Sequence, residues 1–191
     1  YAADGAELWS RSKNGVANGN DYPFAMAVGG GGLVVVAGRS FNGLNYDYLT
    51  VAYDSAGNEL WARLKNGVAN LDDIAFAIAV DTSGNVFVTG RSSTGLGNEY
   101  LTVAYDSSGV ELWTMAKGGG ANSNSGAFAL ALDGAARVFV TGTSNIGASY
   151  DFLTVAYDSS GSELWARLAD GPGNGEDTAY DLAADGLGRL Y

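Results

Sequence analysis

The chain of 191 residues is long enough for one good-sized domain, and its 47% hydrophobic residues allow it to bury a core. It contains no cysteine and no histidine, which excludes disulfides, Ser-His-Asp and Cys-His nucleophile systems, and zinc sites of the usual kind. The formal net charge of −11 disfavours binding to nucleic acid or to an anionic membrane surface, and no apolar run reaches the length of roughly 18 residues that a membrane helix needs.

The chain repeats itself with a constant period of 52 residues, which the tryptophans mark most clearly. Helical repeats are shorter, at roughly 34 to 47 residues, and show a helical spacing of apolar residues that is missing here. The blades of β-propellers occupy roughly 40 to 50 residues and contain four strands each. The tryptophans that mark the period are Trp9, Trp61, Trp113 and Trp165.

The pattern divides the chain into three whole units and two partial ones. In chain order these units are 1–21 (partial), 22–73, 74–125, 126–177 and 178–191 (partial). The unit that begins at residue 74 predicts strands over 74–80, 85–90, 99–105 and 111–116. Turns of the Asp-x-x-Gly type join the first strand to the second and the third to the fourth, and loops over 91–98 and 117–126 make the other connections.

Small and large residues alternate in the first strand of the unit. The pattern places Ala75, Ala77 and Ala79 on one face and Phe76, Ile78 and Val80 on the other, so the strand is predicted to be buried on both sides. We expect the first strands to line the central channel of a propeller. We expect all four tryptophans, on the fourth strands, to fill the gaps between neighbouring blades.

Three segments carry a resemblance to a known family: YDYLTVAYDSAGNELWARL (46–64), DTSGNVFVTG (81–90) and DGPGNGEDTAYDLAAD (170–185). Together they resemble the bacterial β-propeller repeat family called SBBP. The resemblance implies an all-β propeller and a secreted or cell-surface bacterial protein, and the molecular role of such repeats is usually unassigned. The segment DSSGSELW (158–165) is more weakly similar to the quinoprotein propeller repeat. It lacks the threonine before glycine, so cofactor binding does not carry over.

The chain holds about 3.7 units of 52 residues. We therefore expect a segment of a propeller with roughly seven or eight blades. The open strand edges would be completed by the remaining blades or by another copy of the chain.

Two sets of loops are predicted to share one face of the propeller, the face that usually binds ligands. The loops from a fourth strand to the next first strand carry acids and suggest a possible Ca²⁺ site. The simpler interpretation is that these side chains stabilise the loop backbone through local hydrogen bonds. The candidate ligands are Asp21, Asp72, Asp73, Glu176 and Asp177.

The loops between second and third strands (39–47, 91–99 and 143–151) differ most among the copies. Such variation is typical of a binding site, and aromatic and cationic side chains there would hold a glycan or peptide. The alternative is a set of ordinary exposed loop residues. The candidate ligand-binding residues are Arg39, Phe41, Asn42, Tyr46, Arg91 and Tyr150. The turn aspartates Asp54, Asp106 and Asp158 are explained by turn geometry alone.

These features favour a non-catalytic binding or scaffold module with a protein or glycan ligand. No cofactor is predicted beyond the possible Ca²⁺. Two alternatives remain open: a propeller hydrolase or quinoprotein-like enzyme whose active residues lie outside this segment, and a structural protein that assembles edge to edge.

Overall fold

A computed structural model describes residues 1–118, 123–145, 149–173 and 175–191. Parts of the predicted loops 117–126, 143–151 and 170–180 lie outside these ranges. Within them the chain forms twelve β-strands and one short 3-10 turn, Gly30–Gly32. The strands are β1 (Asp21–Val28), β2 (Val34–Phe41), β3 (Tyr46–Tyr53), β4 (Glu59–Lys65), β5 (Asp73–Val80), β6 (Val86–Ser93), β7 (Asn98–Tyr105), β8 (Glu111–Lys117), β9 (Gly126–Leu132), β10 (Val138–Ser144), β11 (Asp151–Tyr157) and β12 (Glu163–Ala169).

The strands form three antiparallel four-stranded sheets, each built from consecutive strands. We call them sheet 1 (β1–β4), sheet 2 (β5–β8) and sheet 3 (β9–β12). The predicted all-β class and the recurring four-stranded unit are confirmed. The described residues form no closed ring, so the ring of seven or eight blades stays a prediction.

The hairpin between the second and third strands is longer than the sequence predicts. In sheet 2, β6 continues to Ser93 and β7 begins at Asn98, with Arg91 paired to Tyr100 and Ser92 to Glu99. The predicted loop over 91–98 is therefore wrong in its bounds and shrinks to residues 94–97. Polar side chains suggested a loop, but backbone pairing does not require apolar residues.

A β-bulge breaks the predicted alternation of the first strand. Ala75 pairs with Gly90 and Ala77 pairs with Thr89, which leaves Phe76 as the extra residue. Because neighbouring residues of β6 point to opposite faces, Ala75 and Ala77 also lie on opposite faces, and the prediction of one alanine face is wrong. A Cβ atom at Gly90 would lie 2.0 Å from the carbonyl oxygen of Ile74, so this position of the bulge requires glycine.

One aromatic ring from each repeat lies in a continuous row, and three of the four rings are at the bulges of the first strands. The centroids of Phe24 and Phe76 lie 5.8 Å apart, those of Phe76 and Phe128 lie 5.4 Å apart, and those of Phe128 and Tyr180 lie 5.8 Å apart. Aromatic pairs at this distance contribute beyond their buried area. The row shows that the first strands of neighbouring sheets lie side by side.

The apolar core lies between sheets and not within one sheet. One cluster joins sheet 1 to sheet 2 and includes Val35, Trp61 and Val88, and a second cluster joins sheet 2 to sheet 3. The Tyr48 hydroxyl donates to the Leu101 carbonyl across the first junction at 3.0 Å. The Tyr100 hydroxyl donates to the Leu153 carbonyl across the second at 2.9 Å. Each sheet therefore depends on its neighbour for burial.

Three of the tryptophans, Trp9, Trp61 and Trp113, reach from one repeat to the next. Trp165 contacts the Phe139 ring of its own sheet. The Trp61 indole nitrogen donates to the Ser107 carbonyl at 3.1 Å, and Trp9 does the same with Ser55 at 3.1 Å. A Cβ at Gly109, whose φ is +79°, would lie 2.6 Å from the Trp61 ring, so the turn needs glycine for both its conformation and its space.

The segments at the two ends pack on the outer sheets. Residues 1–15 lie against sheet 1 through Trp9 and through Arg11, whose Nε donates to the Gly57 carbonyl at 2.7 Å. Residues 178–191 form one antiparallel bridge, Ala184 to Leu190. No helix in the described ranges has the length and apolar character of a membrane-crossing segment.

Candidate binding sites at the loop end

The two sets of loops that were predicted to share a face do meet. The Tyr46 amide donates to Asp72 Oδ1 at 3.0 Å, and the Asn45 side chain donates to the Asn70 carbonyl. The loop before a sheet also touches the hairpin of that same sheet, because a Cβ at Gly19 would lie 2.6 Å from the Phe41 ring. We call this common side the loop end.

Three of the predicted ligand-binding residues form one cluster. The guanidinium carbon of Arg39 lies 4.3 Å from the Tyr46 ring centroid, and the Phe41 and Tyr46 centroids lie 5.5 Å apart. Tyr22, which sequence reasoning missed, completes the cluster at 4.7 Å from Arg39. Tyr22 was missed because the pairing of β1 with β2 places it opposite Arg39. Arg39, Tyr22, Phe41 and Tyr46 are called the Arg39 cluster below.

The other predicted ligand-binding residues lie elsewhere or hold the fold. Asn42 Oδ1 accepts the Leu44 and Asn45 amides at 2.9 Å and 3.1 Å, so this side chain closes the hairpin turn. Arg91 lies in β6 of sheet 2 and not in a loop. The Tyr150 hydroxyl accepts a hydrogen bond from Asn124 at 3.2 Å at the edge of sheet 3. The six residues are therefore spread over three sheets.

Within the three described sheets, the Arg39 cluster is found in sheet 1 alone. At the equivalent positions of the next repeat, Tyr22 is replaced by Ile74, Phe41 by Ser93 and Tyr46 by Asn98. Aromatic faces around a guanidinium favour cation–π contact. Tyr22 is 40% exposed, so part of this aromatic surface reaches solvent.

Three of the predicted metal ligands have one recurring structural contact. Asp21 Oδ2 accepts the Gly15 amide at 2.8 Å, Asp73 Oδ2 accepts the Gly67 amide at 2.6 Å, and Asp177 Oδ2 accepts the Gly171 amide at 2.7 Å. Each of these bonds closes a loop between sheets.

One group of three carboxylates lies at the loop end of sheet 3. Ligand oxygens of Asp151, Asp170 and Asp177 all lie within 4.8 Å of one another. Only Asp177 was among the predicted ligands, and Glu176 is an exposed neighbour. Sequence reasoning placed Asp151 in the variable loop 143–151 and did not count it as a metal ligand. It missed Asp170 because the equivalent position in the first and second copies is Asn14 and Asn66.

Burial raises the pKa of three carboxylates at the loop end of sheets 1 and 2, those of Asp47, Asp73 and Glu99. Burial raises the pKa of Asp47, and the charge of Asp72 adds to the effect while the Asn42 side chain opposes it. Burial also raises the pKa of Asp73, which is 0% exposed, and the neighbouring Ser92 hydroxyl opposes that rise. By contrast, hydrogen bonds from Ser108 and from nearby amides lower the pKa of the turn residue Asp106.

The face of sheet 1 that is turned away from sheet 2 is a second candidate surface. We call it the upstream face; Met26, Val28, Val34, Val36 and Leu49 lie on it. A groove of about 660 Å³ separates this face from the segment that contains Trp9, Arg11 and Lys13. Met26 and Val28 are each 66% exposed. This is an apolar surface of the kind that marks an interaction site.

Residues 60–97 match the family model described as "Beta-propeller repeat", SBBP. The matched segment begins in β4 and ends in the hairpin turn after β6, so it spans the connection from sheet 1 into sheet 2. No curated protein matches the chain. The resemblance that the sequence motifs indicated is confirmed by this match over residues 60–97.

Proposed function

We propose that the chain is a non-catalytic scaffold and binding module whose upstream face binds a further sheet of the same repeat, supplied by another copy of the chain. The repeat family favours a binding or scaffold role in general terms. A secreted or cell-surface location in a bacterium belongs to this proposal and rests on the resemblance of the sequence motifs to such proteins.

One observation carries the proposal: equivalent residues are covered in sheets 2 and 3 but not in sheet 1. Val86 and Val88 are both 0% exposed, whereas Val34 and Val36 at the same positions are only partly buried. Ile78 packs in the core between sheets 1 and 2, whereas the equivalent Met26 is open to solvent.

The two junctions between the three sheets show which kind of surface fits the upstream face. At both of them an apolar sheet face packs on the next sheet, and a third-strand tyrosine donates to a leucine carbonyl. The equivalent carbonyl of sheet 1 belongs to Leu49, which lines the groove. Burial of apolar area at about 25 cal/mol per Å² would drive the association.

The experiment measures molar mass by light scattering across a range of chain concentrations. The unmodified chain should form dimers or larger assemblies as concentration rises. Met26→Asp should keep it monomeric, because a charge in the groove has no partner. Leu44→Asp is the matched control: Leu44 is 83% exposed in the hairpin turn, and this variant should assemble normally. Circular dichroism checks that both variants fold.

An unmodified chain that stays monomeric at its highest soluble concentration would contradict the proposal. So would assembly that Leu44→Asp disrupts as strongly as Met26→Asp does.

The Arg39 cluster favours a second candidate function, the binding of a glycan on the loop end. Exposed tyrosine and phenylalanine rings stack on sugar rings, and the Arg39 guanidinium offers hydrogen-bond donors. A glycan array with the unmodified chain should give hits that Tyr46→Ala loses. Tyr150→Ala, which removes a tyrosine at the equivalent position of sheet 3, should retain them. An array without hits, or equal loss in both variants, rejects this function.

A further inference from the structure

Two of the three carboxylates at the loop end of sheet 3 have equivalents two repeats earlier in the chain. Asp47 and Asp73 lie 104 residues before Asp151 and Asp177, at the same places in the repeat. Asp73 forms the same amide contact as Asp177, and the charge of Asp47 contributes to the raised pKa of Asp73. The chain therefore builds the same pair of carboxylates twice at the loop end.

The earlier pair contains a buried oxygen that lacks a partner. Asp47 is 5% exposed, and its Oδ2 accepts the Asn42 side chain at 2.9 Å. Its Oδ1 is buried and accepts no hydrogen bond from any residue in the described ranges. An unsatisfied buried carboxylate oxygen is costly, so a ligand at this atom would remove a real penalty.

Among the described residues, no ion pair includes an acid of either group. The ion pairs that these residues form involve Lys13, Lys65, Lys117, Arg137 and Arg189. Buried carboxylates normally pair with a cation or coordinate a metal. The chain has no histidine or cysteine, so the ligand set is made only of oxygen.

The intervening junction serves as an internal contrast. There the position of Asp73 is taken by Ser125 and that of Asp47 by Glu99. The Ser125 hydroxyl bonds to Ser123 at 2.8 Å and to Ser144 at 2.8 Å, so neutral hydroxyl groups satisfy one another without a cation. The carboxylate pairs are thus a feature of particular junctions and not of the repeat in general.

We propose that the loop end binds two calcium ions, one between Asp47 and Asp73 and one among Asp151, Asp170 and Asp177. Ca²⁺ takes oxygen ligands in irregular arrangements, and carboxylates, backbone carbonyls and water fill its six to eight positions. This inference stands on the carboxylate geometry and does not rest on the proposed function.

Calorimetric titration of the metal-free chain with CaCl₂ tests the inference. The unmodified chain should bind two ions. Asp170→Asn should weaken one site at least tenfold and leave the other, and Asp47→Asn should do the reverse. Terbium provides a second readout, because Tyr150 adjoins Asp151 and its carbonyl accepts the Asp177 amide at 2.6 Å, so excitation of tyrosine should sensitise bound Tb³⁺. Asp151→Asn should reduce that luminescence.

Glu7→Gln is the matched control, since it removes one exposed negative charge at a distance from both groups. It should bind two ions as tightly as the unmodified chain does. The inference is overturned if no binding occurs at millimolar CaCl₂, or if Glu7→Gln weakens binding as much as Asp170→Asn. Asp170 is exposed, so its replacement should not disturb folding even if that of Asp47 does.

Discussion

Two junctions join the three sheets, the first between sheets 1 and 2 and the second between sheets 2 and 3. The contacts at their centres are the same, and the contacts at their edges differ. In both centres a tyrosine donates to a leucine carbonyl, a tryptophan donates to a serine carbonyl, and a lysine pairs with a glutamate. At the edges, Arg63 of the first junction is replaced by Met115 of the second, and Asp73 by Ser125.

The difference shows which contacts a junction needs. Backbone carbonyls and apolar faces are supplied by the fold itself, so the tyrosine and the tryptophan that bind them recur at both junctions. Loop-end residues mainly contact one another, and that contact can be made by charged or by neutral groups. The chemistry of the loop end therefore varies while the packing of the sheets stays constant.

The largest effect is expected from tryptophan removal. Trp61→Ala and Trp113→Ala should each cost about 3–5 kcal/mol in the free energy of unfolding, because both rings are buried between sheets. Trp9→Ala should cost less, because residues 1–15 form no strand on sheet 1. Urea denaturation of the three variants measures the free energy of unfolding that each one loses. Equal losses would show that the first junction and the terminal segment are packed equally well.

The second-largest effect on stability is expected from removal of the buried tyrosine hydroxyls. Tyr48→Phe and Tyr100→Phe should each cost about 1–2 kcal/mol, because a buried hydrogen bond to a carbonyl is lost. Sheet 3 already carries phenylalanine at this position, Phe152, which is 36% exposed. Phe152→Tyr should therefore change stability by less than either removal, and thermal unfolding of the three variants tests this.

The carboxylate of Asp73 should make stability depend on pH. Burial raises its pKa in the folded chain, so the folded state holds the proton more tightly than the unfolded state. Its contribution is favourable at low pH and is lost as pH rises above the ordinary aspartate range and through the raised folded pKa. In the presence of a chelator, Asp73→Asn should remove this loss and stabilise the chain at neutral pH by on the order of 1 kcal/mol.

Ser125→Asp makes the opposite change at the second junction and should lower stability at neutral pH in the same buffer. If Asp73→Asn instead destabilises the metal-free chain at neutral pH and not at low pH, the raised pKa of Asp73 is contradicted.

The smallest effect is expected from the lysine–glutamate pairs. Lys65→Ala and Lys117→Ala should each cost about 0.2–1 kcal/mol, since both pairs are partly exposed to solvent. The two losses should be equal, and high salt should abolish both. A loss that persists in high salt would mean that the lysine stem, and not its charge, supports the junction.

Sequence reasoning recovered the features that recur with the period. The spacing of Trp9, Trp61 and Trp113 identified the four-stranded unit, and the Asp-x-x-Gly turns located the hairpins that follow the third strands. It failed where one residue depends on a contact far along the chain. The bulge at Phe76 follows from the close approach of Gly90 to a backbone oxygen, which no local pattern of apolar residues reveals.

The residues of the candidate sites also fall into those that the sequence revealed and those that only the structure brought together. Arg39, Phe41 and Tyr46 were found because they are unusual among the copies, but Tyr22 joined them only through its pairing across β1 and β2. The sequence placed Asp151 and Asp170 in two different loops, and tertiary structure brought their oxygens within 4.8 Å of Asp177.

The amino-acid sequence by itself determined the repeating unit, because periodic burial and turn chemistry are local and are written again in each copy. Only the tertiary structure decided which faces are covered and which carboxylates meet, because these depend on how one sheet is placed against the next. Distances between residues that lie far apart in the chain are set by that packing and by no single segment.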